Sequence, residues 1–487
     1  MANEVGLLSF GAYVPRRRLQ RAAIAAANAW FSPGLRGMAR GERSMANWDE
    51  DTVTMAVEAA RDCLAGFDAA SVAALSLAST THPFDDRQNT SIVAGALNLR
   101  RDVRSLDVSG SLRAGTSALA TTIAAAKGTH GAVLLMAAEH RLAKAASPQE
   151  MQYGDGAAAV LIGAGRPIAT LVGAYAETVD FVPQFRARDR AHDYAWEERW
   201  VRDEGYMKIV PRAASALLGQ TGTDATSVSA FILPCTLSRV VPGVAKRIGI
   251  PEAAVRDNLA AVCGDTGAAH PLVMLVHALE AAKPGDLILV AAFDSGCDAL
   301  LFRVTEAIAT LPPRHGVKGA LARRKEEATY QKYLAFNNLV TLDHGMRAEV
   351  DKGTPLSAMY RNREMITGLV GGRCRNCGTV QYPKGRYCVN PKCRALDSQD
   401  DEPFAERRAT VMSYTADLLT YCPDPPAYYG MVEFEGGGRM MVDFTDVDDG
   451  AVEVGTPMRM MFRIKDVDAA RGFVRYFWKA APVTRSQ

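Results

Sequence analysis

Apolar stretches of strand length alternate with helical patterns through roughly the first three hundred residues. Segments that fit buried strands lie at 5–14, 72–78, 131–138, 154–161, 228–233 and 287–293. Acidic residues followed by a regular apolar face at 49–60 predict one helix, and an unbroken alanine-rich run that ends at residue 126 predicts another. This alternation predicts an α/β fold with a parallel sheet covered by helices on both faces.

The pattern changes near residue 311, where two prolines and a glycine interrupt the alternation. Short strand patterns then recur at 409–418, 428–434, 439–444 and 458–464, which predicts a small antiparallel barrel. We therefore predict four parts, with bounds at 1–310 for the α/β domain, 311–357 for a linker, 358–398 for a helix and cysteine-rich segment, and 399–487 for the barrel.

The segment 107–126 reads DVSGSLRAGTSALATTIAAA and places small residues immediately before the predicted helix. A helix that begins at such a turn directs its free N–H groups and the positive end of its dipole toward whatever lies there. The same field lowers the pKa of a thiol and stabilises an oxyanion. The sequence therefore predicts a site at the start of this helix.

The composition of the chain narrows the kinds of molecule that it is expected to bind. The chain has 487 residues, 48% hydrophobic and 23% charged, with a net charge of +2. These values are ordinary for a globular protein of more than one domain and favour neither nucleic acid nor an anionic membrane. No apolar run approaches the ~18 residues of a membrane span, and the first charges follow an apolar run, which is the reverse of a secretory signal. We expect a cytoplasmic protein.

Nine cysteines are unevenly distributed, and four of them lie within twenty residues. Cys374 and Cys377 form a Cys-x-x-Cys pair, and Cys388 and Cys393 form a wider one. Two close pairs can supply four thiolates to a tetrahedral zinc ion, which leaves no open position for catalysis. We predict a structural zinc site, with four free buried thiols as the alternative.

The segments DEDTVTMAVEAA, RAGT and GDGAAAV resemble the thiolase superfamily, most closely its 3-hydroxy-3-methylglutaryl-CoA (HMG-CoA) synthase branch. In that branch an Ala-Cys-(Lys)-Ala-Gly-Thr run carries the acylated cysteine, and the matching run here is SLRAGT, with Leu112 at the nucleophile position. The resemblance implies a duplicated five-layer thiolase-type fold. It also implies that covalent acyl chemistry is missing from this chain.

Two further catalytic positions of that branch differ here. The glutamate position is occupied by Thr80, and the stretch that would hold the histidine, 231–236, contains none. Candidate substitutes on segments that the fold would bring near the pocket are His82, Cys235, Asp265 and His270, although a lone histidine or cysteine is more often a core residue. For coenzyme A, the candidates are Lys208, Arg239 and Lys246, with solvated surface cations as the alternative.

The cysteine cluster and the predicted barrel resemble the zinc-ribbon/OB-fold domain that accompanies thiolases and acyl-CoA-handling enzymes. Members of that family resemble adaptors that bridge subunits and shelter the pantetheine arm of coenzyme A. An OB-fold can instead bind single-stranded nucleic acid, but the acidic runs at 400–402 and 446–449 argue against that function.

Three hypotheses about function follow from this resemblance. The chain is a subunit of an acyltransferase assembly that makes or cleaves a carbon–carbon bond beside a β-carbonyl, with a separate thiolase as catalytic partner. Alternatively, it is itself an acyltransferase or a carbon–carbon lyase that uses non-standard pocket residues, or it is a non-catalytic acyl-CoA-binding scaffold. In each case we expect acyl-CoA as ligand and a homodimer formed through the thiolase-like domain.

Overall fold

The computed structural model describes residues 4–351 and 353–483. It consists of two compact units. Unit 1 comprises the residues up to 47 together with 51–91 and 100–337, and unit 2 comprises 48–50, 92–99 and the residues from 338 onwards. The segment predicted to be a linker is therefore divided, because 311–337 belongs to unit 1 and 338–357 to unit 2.

A mixed nine-stranded sheet is the centre of unit 1 in the described part of the chain. The strands of this unit are β1 (Val5–Tyr13), β2 (Arg17–Gln20), β3 (Glu42–Met45), β4 (Val72–Ala78), β5 (Arg104–Val108), β6 (Ala132–Glu139), β7 (Gly156–Ala164), β8 (Ala169–Thr178), β9 (Gln184–Phe185), β10 (Tyr194–Ala195), β11 (Ala230–Ile232), β12 (Leu287–Asp294), β13 (Gly296–Val304) and β14 (Lys325–Glu327). The order across the large sheet is β11-β12-β13-β8-β1-β7-β6-β4-β5. Strands β14, β2 and β3 form a small separate sheet, and β9 and β10 form a hairpin.

The sheet corrects the prediction of parallel strands. Within the large sheet, the described pairs β4–β5, β4–β6 and β11–β12 are parallel, and the other pairs are antiparallel. The physical reason is visible at β12 and β13, which are joined by a tight hairpin instead of a helical crossover. Gly296 closes this hairpin with φ +105°, and a Cβ there would lie 1.9 Å from the carbonyl oxygen of Glu177.

Helices cover and divide this sheet. They are α1 (Arg21–Asn28), α2 (Thr52–Cys63), α3 (Asn89–Ala96), α4 (Ala114–Ala126), α5 (Pro148–Gln152), α6 (Glu198–Trp200), α7 (Val210–Thr221), α8 (Val240–Ile248), α9 (His270–Leu279), α10 (Gly316–Ala322) and α11 (Tyr330–Phe336), with a π-helix at Val201–Ile209. Helix α2 packs on β1, β6 and β7, whereas α7 packs on β8 and β13. Helices α4 and α9 pack against strands of both halves and against each other, in one continuous apolar core. This is the layered, duplicated α/β arrangement that the resemblance implied.

Among its described residues, unit 2 contains two small sheets, the end of α3, and the short helices α12 (Leu356–Arg361) and α13 (Arg363–Ile366). The cysteine-rich part holds β15 (Val370–Cys374), β16 (Val380–Gln381) and β17 (Gln399–Pro403), and the barrel holds β18 (Ala409–Asp417), β19 (Ala427–Phe434), β20 (Arg439–Asp443), β21 (Pro457–Asp468) and β22 (Phe473–Pro482). The barrel strands are antiparallel neighbours in the order β20-β19-β18-β21-β22, and a bridge between Phe444 and Ala480 joins the two ends. Nowhere in the described residues is a helix long and apolar enough to cross a membrane.

A buried cluster of charges lies inside unit 2. The Lys479 ammonium is 2.8 Å from Asp49 Oδ2 and lies over the Trp48 ring, while Arg463 is 3.1 Å from Glu50. The side chains of the two ion pairs are almost completely excluded from solvent. Removing one partner from such a cluster leaves a buried charge without compensation.

We therefore expect Lys479→Met to lower the free energy of unfolding of unit 2 by about 3–5 kcal/mol, because the Asp49 carboxylate loses its closest cation. Lys465→Met is the matched control, since Lys465 pairs with Asp443 on the surface and should cost at most about 1 kcal/mol. Urea unfolding monitored by far-UV circular dichroism measures both. Equal, small losses in the two variants would contradict this account of the cluster.

Candidate active site

Leu112, which the resemblance assigns to the nucleophile position, lies at the start of helix α4. Helix α4 begins at Ala114, and Leu112 lies just before it and lines a cavity. Its hydrocarbon side chain can neither attack a thioester nor donate a hydrogen bond. Residue 112 therefore brings no nucleophilic side chain to the start of this helix.

A carboxyl group binds this helix start instead. Asp294, the last residue of β12, accepts hydrogen bonds at Oδ2 from the Ser111 hydroxyl (2.7 Å) and the Leu112 N–H (2.8 Å). Burial raises the pKa of the Asp294 carboxyl above its usual value, although these two hydrogen bonds act in the opposite direction. The group is therefore a stronger base than an ordinary aspartate and sits where the helix dipole is positive.

The β12–β13 hairpin is fixed to α4 by a second set of contacts. Arg113 donates to Asp298 Oδ1 (2.7 Å) and to the Ser295 carbonyl (2.9 Å). Asp298 also accepts from the hydroxyls of Thr116 and Ser117 on the first turn of the helix. These bonds hold the hairpin, and with it Asp294, in one position relative to α4.

A cavity of about 330 Å³ opens in front of this helix start, a volume within the usual range for a small-molecule site. Its walls combine aromatic and aliphatic side chains with a comparable share of polar groups. The lining residues that matter for chemistry and shape are Leu112, Tyr153, Trp196, Tyr206, Pro234, Cys235, Asp265, Phe293 and Asp294.

The π-helix shapes one wall of the cavity. Gly205 allows the Phe293 ring to approach closely, since a Cβ there would lie 2.4 Å from the ring. The next residue, Tyr206, packs on Phe293 with ring centroids 4.4 Å apart and donates its hydroxyl to the Pro234 carbonyl (3.2 Å). Unusual i→i+5 helical segments are frequent at functional sites.

Exposed aromatic side chains lie beside the cavity. Trp196 lines it and is 51% exposed, and Phe185 and Tyr194 pack against each other on the β9–β10 hairpin. Trp200 stacks on Phe181 nearby in the chain. A cluster of exposed aromatic side chains is typical of a surface that binds an apolar ligand or partner.

Two of the four predicted substitutes, Cys235 and Asp265, line the cavity. Burial raises the pKa of the Cys235 thiol to about 12. Burial also opposes ionisation of Asp265, but the Arg141 guanidinium at 3.0 Å lowers the pKa of that carboxyl below its usual value. Asp265 is thus held as a carboxylate, with Oδ1 accepting from the Gly267 N–H and Oδ2 from Arg141.

The two predicted histidines do not line the cavity. His270, the first residue of α9, is buried; its Nδ1 contacts Thr266 and its Nε2 lies 2.8 Å from the Asn258 carbonyl. Burial lowers the pKa of its ring. His82 lies after β4 with a buried Nε2 that has no hydrogen-bond partner among the described atoms.

Thr80, at the family's glutamate position, contacts a carboxylate that the sequence did not single out. Its N–H and hydroxyl lie 3.2 and 3.1 Å from Glu139 Oε1, and the Ala268 N–H donates to Glu139 Oε2. Glu139 is completely buried at the end of β6 and connects this loop with the turn before α9.

The three predicted coenzyme A cations lie outside the cavity lining. Lys208 is on the π-helix, exposed and paired with Glu204 at 2.7 Å. Arg239 precedes the first residue of α8, and Lys246 lies in its last turn. The π-helix packs on α8, so these elements are neighbours on the surface of unit 1.

The four clustered cysteines have the geometry of a metal site. Their sulfur atoms lie within 4.8 Å of one another, with Cys374–Cys393 at 3.9 Å and Cys377–Cys388 at 3.5 Å. A tetrahedral zinc ion with Zn–S bonds of about 2.3 Å places its sulfur ligands about 3.8 Å apart, so the four residues fit this ion. The wider spacing of Cys388 and Cys393 in the sequence is accommodated within the cluster.

Sequence reasoning missed Asp294, Trp196 and Glu139 as parts of the site. A usable signal existed for Asp294 and Glu139, since each directly ends a buried apolar strand, the position at which polar residues of α/β sheets meet a ligand. Trp196 lies in a segment of mixed composition, and nothing local indicates that it lines a cavity.

Family models match three parts of the chain. Residues 218–303 match the C-terminal domain of 3-oxoacyl-[acyl-carrier-protein] synthase III. Residues 368–397 match the rubredoxin-like zinc ribbon domain of ChsH2, and 402–463 match the ChsH2 C-terminal OB-fold domain. The chain is a thiolase-like protein joined to a zinc ribbon and an OB-fold. The resemblance predicted from its motifs is thereby confirmed.

Curated relatives of this thiolase-like protein are HMG-CoA synthases. That of Caldivirga maquilingensis is 28% identical over 353 residues, covering 70% of this chain and 99% of the relative. That of Thermococcus gammatolerans is 29% identical over 343 residues, covering 68% and 95% respectively. Both alignments support the HMG-CoA synthase-like branch.

Solved structures show the same fold. An HMG-CoA synthase complexed with CoA has a TM-score of 0.60 at 16% identity, covering 82% of this chain and all of that one (100%). A 3-oxoacyl-(acyl carrier protein) synthase III from Pseudomonas aeruginosa has a TM-score of 0.55 at 22% identity, covering 62% and 99%.

Proposed function

We propose that this thiolase-like protein binds acyl-CoA in the cavity of unit 1 and acts as a subunit of an acyltransferase assembly that makes or cleaves a carbon–carbon bond beside a β-carbonyl. The usual Cys/His/Glu site is vacated in this chain, and a separate thiolase subunit supplies the covalent step. The observation that carries the proposal is Leu112, which precedes α4 and lines the cavity of unit 1.

The remaining thiol of the cavity supports this view. Burial raises the pKa of the Cys235 thiol to about 12, so this thiol is protonated at neutral pH, whereas the thiolate is the nucleophile. The donors at the helix start are also engaged by Asp294. Both features disfavour an acyl-enzyme on this chain.

Ligand and cofactor proposals follow the relatives. The solved HMG-CoA synthase with CoA supports coenzyme A as the carrier of the acyl group, with Lys208, Arg239 and Lys246 as surface cations for its phosphates. The zinc ribbon supports a structural zinc ion on the four cysteines. We also propose a homodimer formed through the thiolase-like domain, as the resemblance implies.

The aromatic side chains beside the cavity predict a preference for longer acyl groups. We expect octanoyl-CoA to bind more tightly than acetyl-CoA, by about fourfold for each methylene that the walls enclose. Trp196→Ala should remove much of this preference, because Trp196 is the exposed aromatic that lines the cavity. Isothermal titration calorimetry measures both affinities.

Trp30→Ala is the matched control, since Trp30 is 81% exposed and does not line the cavity. It should leave both affinities unchanged. If Trp196→Ala and Trp30→Ala behave alike, the aromatic group has no part in acyl binding.

The assembly is tested with the purified chain and a co-encoded thiolase. We expect carbon–carbon bond cleavage or formation only when both proteins are present, and none with either alone. Turnover by this chain alone would contradict the subunit proposal.

That last result would instead establish a second candidate, a stand-alone carbon–carbon lyase or acyltransferase that forms no covalent intermediate. The specific observation in its favour is that Asp294 and Asp265 share the cavity with opposite shifts in pKa. Pairs of titratable groups with diverging pKa values are typical of acid–base sites.

A further inference from the structure

Asp294 combines three properties in one side chain. It lines the cavity, its Oδ2 is held by two hydrogen bonds, and its Oδ1 accepts no hydrogen bond from the described residues. One oxygen is therefore fixed and the other is available to a ligand. A positioned carboxylate with a free oxygen is the arrangement that a general base requires.

The other two acidic residues that line the cavity are Glu198, which is exposed, and Asp265, which is less suited to the role. Both oxygens of Asp265 are engaged, one by Arg141 and the other by the Gly267 N–H. The ion pair with Arg141 also lowers the pKa of Asp265, so this carboxylate is a weak base.

The backbone under Asp294 is fixed. Gly296, two residues on, leaves no room for a Cβ against the Glu177 carbonyl, and Arg113 donates to the intervening Ser295 carbonyl. The position of the carboxyl is thus set by the hairpin and by α4 together. Preorganisation of this kind is what separates a catalytic group from an incidental one.

We infer that Asp294 is the proton-transfer residue of this cavity and removes a proton from the α-carbon of a bound acyl thioester. This inference rests on the proposed function only in requiring that acyl-CoA enters the cavity. It assigns the residue that acts on the acyl group without a covalent intermediate.

The step balances without an added reagent. The α-carbon gives its proton to Asp294 Oδ1, and the C–H electron pair moves into the thioester to form an enolate. When no second substrate is present, the carboxylic acid returns a proton to the carbon. In D₂O the acid exchanges with solvent first, so the carbon gains deuterium.

Deuterium incorporation into octanoyl-CoA in D₂O, followed by mass spectrometry with the full-length protein, tests this step. We expect the wild-type chain to accelerate exchange at the α-carbon, and Asp294→Asn to lose at least about 100-fold of that rate. Asparagine keeps an oxygen that accepts from Leu112 N–H, so capping of α4 is retained. Asp189→Asn, on the exposed surface of unit 1, should exchange at the wild-type rate.

The pH profile separates a base from a structural cap. The exchange rate should rise with pH through the pKa of Asp294, and this limb should vanish in Asp294→Asn. Ser111→Ala removes a hydrogen bond that favours the carboxylate, so the limb should move to higher pH. This second variant carries the test if Asp294→Asn does not fold. The charged or titratable groups that interact electrostatically with Asp294 are Arg113, Arg141 and Tyr206. Those that share the cavity lining with it are Tyr153, Glu198, Cys235 and Asp265.

Calorimetric titration with octanoyl-CoA distinguishes a failure of the proposed function from a failure of the Asp294 assignment. Absence of binding by the wild-type chain overturns the proposed function itself. Binding without accelerated exchange, or exchange that Asp294→Asn retains in full, overturns the assignment of Asp294 and leaves acyl-CoA binding intact.

Discussion

Replacing Leu112 by cysteine is expected to produce a chain that acyl-CoA acylates on residue 112. The new thiol would stand at the N-terminus of α4, where the helix dipole lowers a thiol pKa, and in front of the cavity that we propose for the acyl group. No histidine lines the cavity to promote the next step, so the adduct should accumulate toward one per chain. Intact-protein mass spectrometry after incubation with octanoyl-CoA measures it.

The carboxyl group of Asp294 is expected to slow acylation of a cysteine at residue 112. This carboxyl bonds the N–H of residue 112, and a nearby negative charge raises a thiol pKa. The double variant Leu112→Cys, Asp294→Asn should therefore acylate about tenfold faster or more than the single variant. Leu112→Ala enlarges the cavity without adding a thiol and should show no adduct. If Leu112→Cys stays unmodified although it binds octanoyl-CoA, the thioester does not reach the start of α4.

Removal of the metal from the cysteine cluster is expected to unfold the zinc ribbon. Structural zinc contributes about 10–16 kcal/mol of apparent binding free energy to small domains of this kind, which have few other stabilising contacts. Cys374→Ser deletes one of four thiolates that lie within 4.8 Å of one another. We expect about one zinc per wild-type chain, almost none in the variant, and new proteolytic cleavage in the cysteine-rich segment.

Cys422→Ser is the control for this experiment. Cys422 lies in the same unit and is outside the cluster, so the zinc content should stay at the wild-type value. Elemental analysis of the purified proteins gives the zinc content directly. A full zinc complement in Cys374→Ser would contradict the four-cysteine site.

Local sequence signals predicted where helices and strands lie better than they predicted which distant residues those segments contact. The acidic start of α2 was predicted correctly as a helix start, because Asp51 forms a capping box with Thr54. The neighbouring Asp49 and Glu50 have a different function, since they pair with Lys479 and Arg463 more than four hundred residues later. A sequence window cannot contain both members of such a pair.

The pairing of strands in the large sheet could likewise not be predicted from local sequence. Apolar runs predicted β4, β6 and β12, but the pairing direction depends on whether a hairpin or a helix connects neighbouring strands, and alternation alone suggested parallel pairs throughout. Strand β22 was also missed, although its pairing with β21 completes the barrel.

The candidate site was predicted in part. The helix start and Leu112 were evident from the RAGT motif, and Cys235 and Asp265 do line the cavity. Asp294 stands beside Leu112 only because the β12–β13 hairpin folds back on α4, across more than 180 residues of sequence. His270 is engaged through both ring nitrogens, which only the packing of α9 reveals.

The central claim, that this chain forms no acyl-enzyme of its own, is tested most directly by intact-protein mass spectrometry of the wild-type chain after incubation with octanoyl-CoA. We predict binding with no covalent acyl group on any cysteine. A stoichiometric thioester on Cys235, or on another thiol of unit 1, would contradict the account.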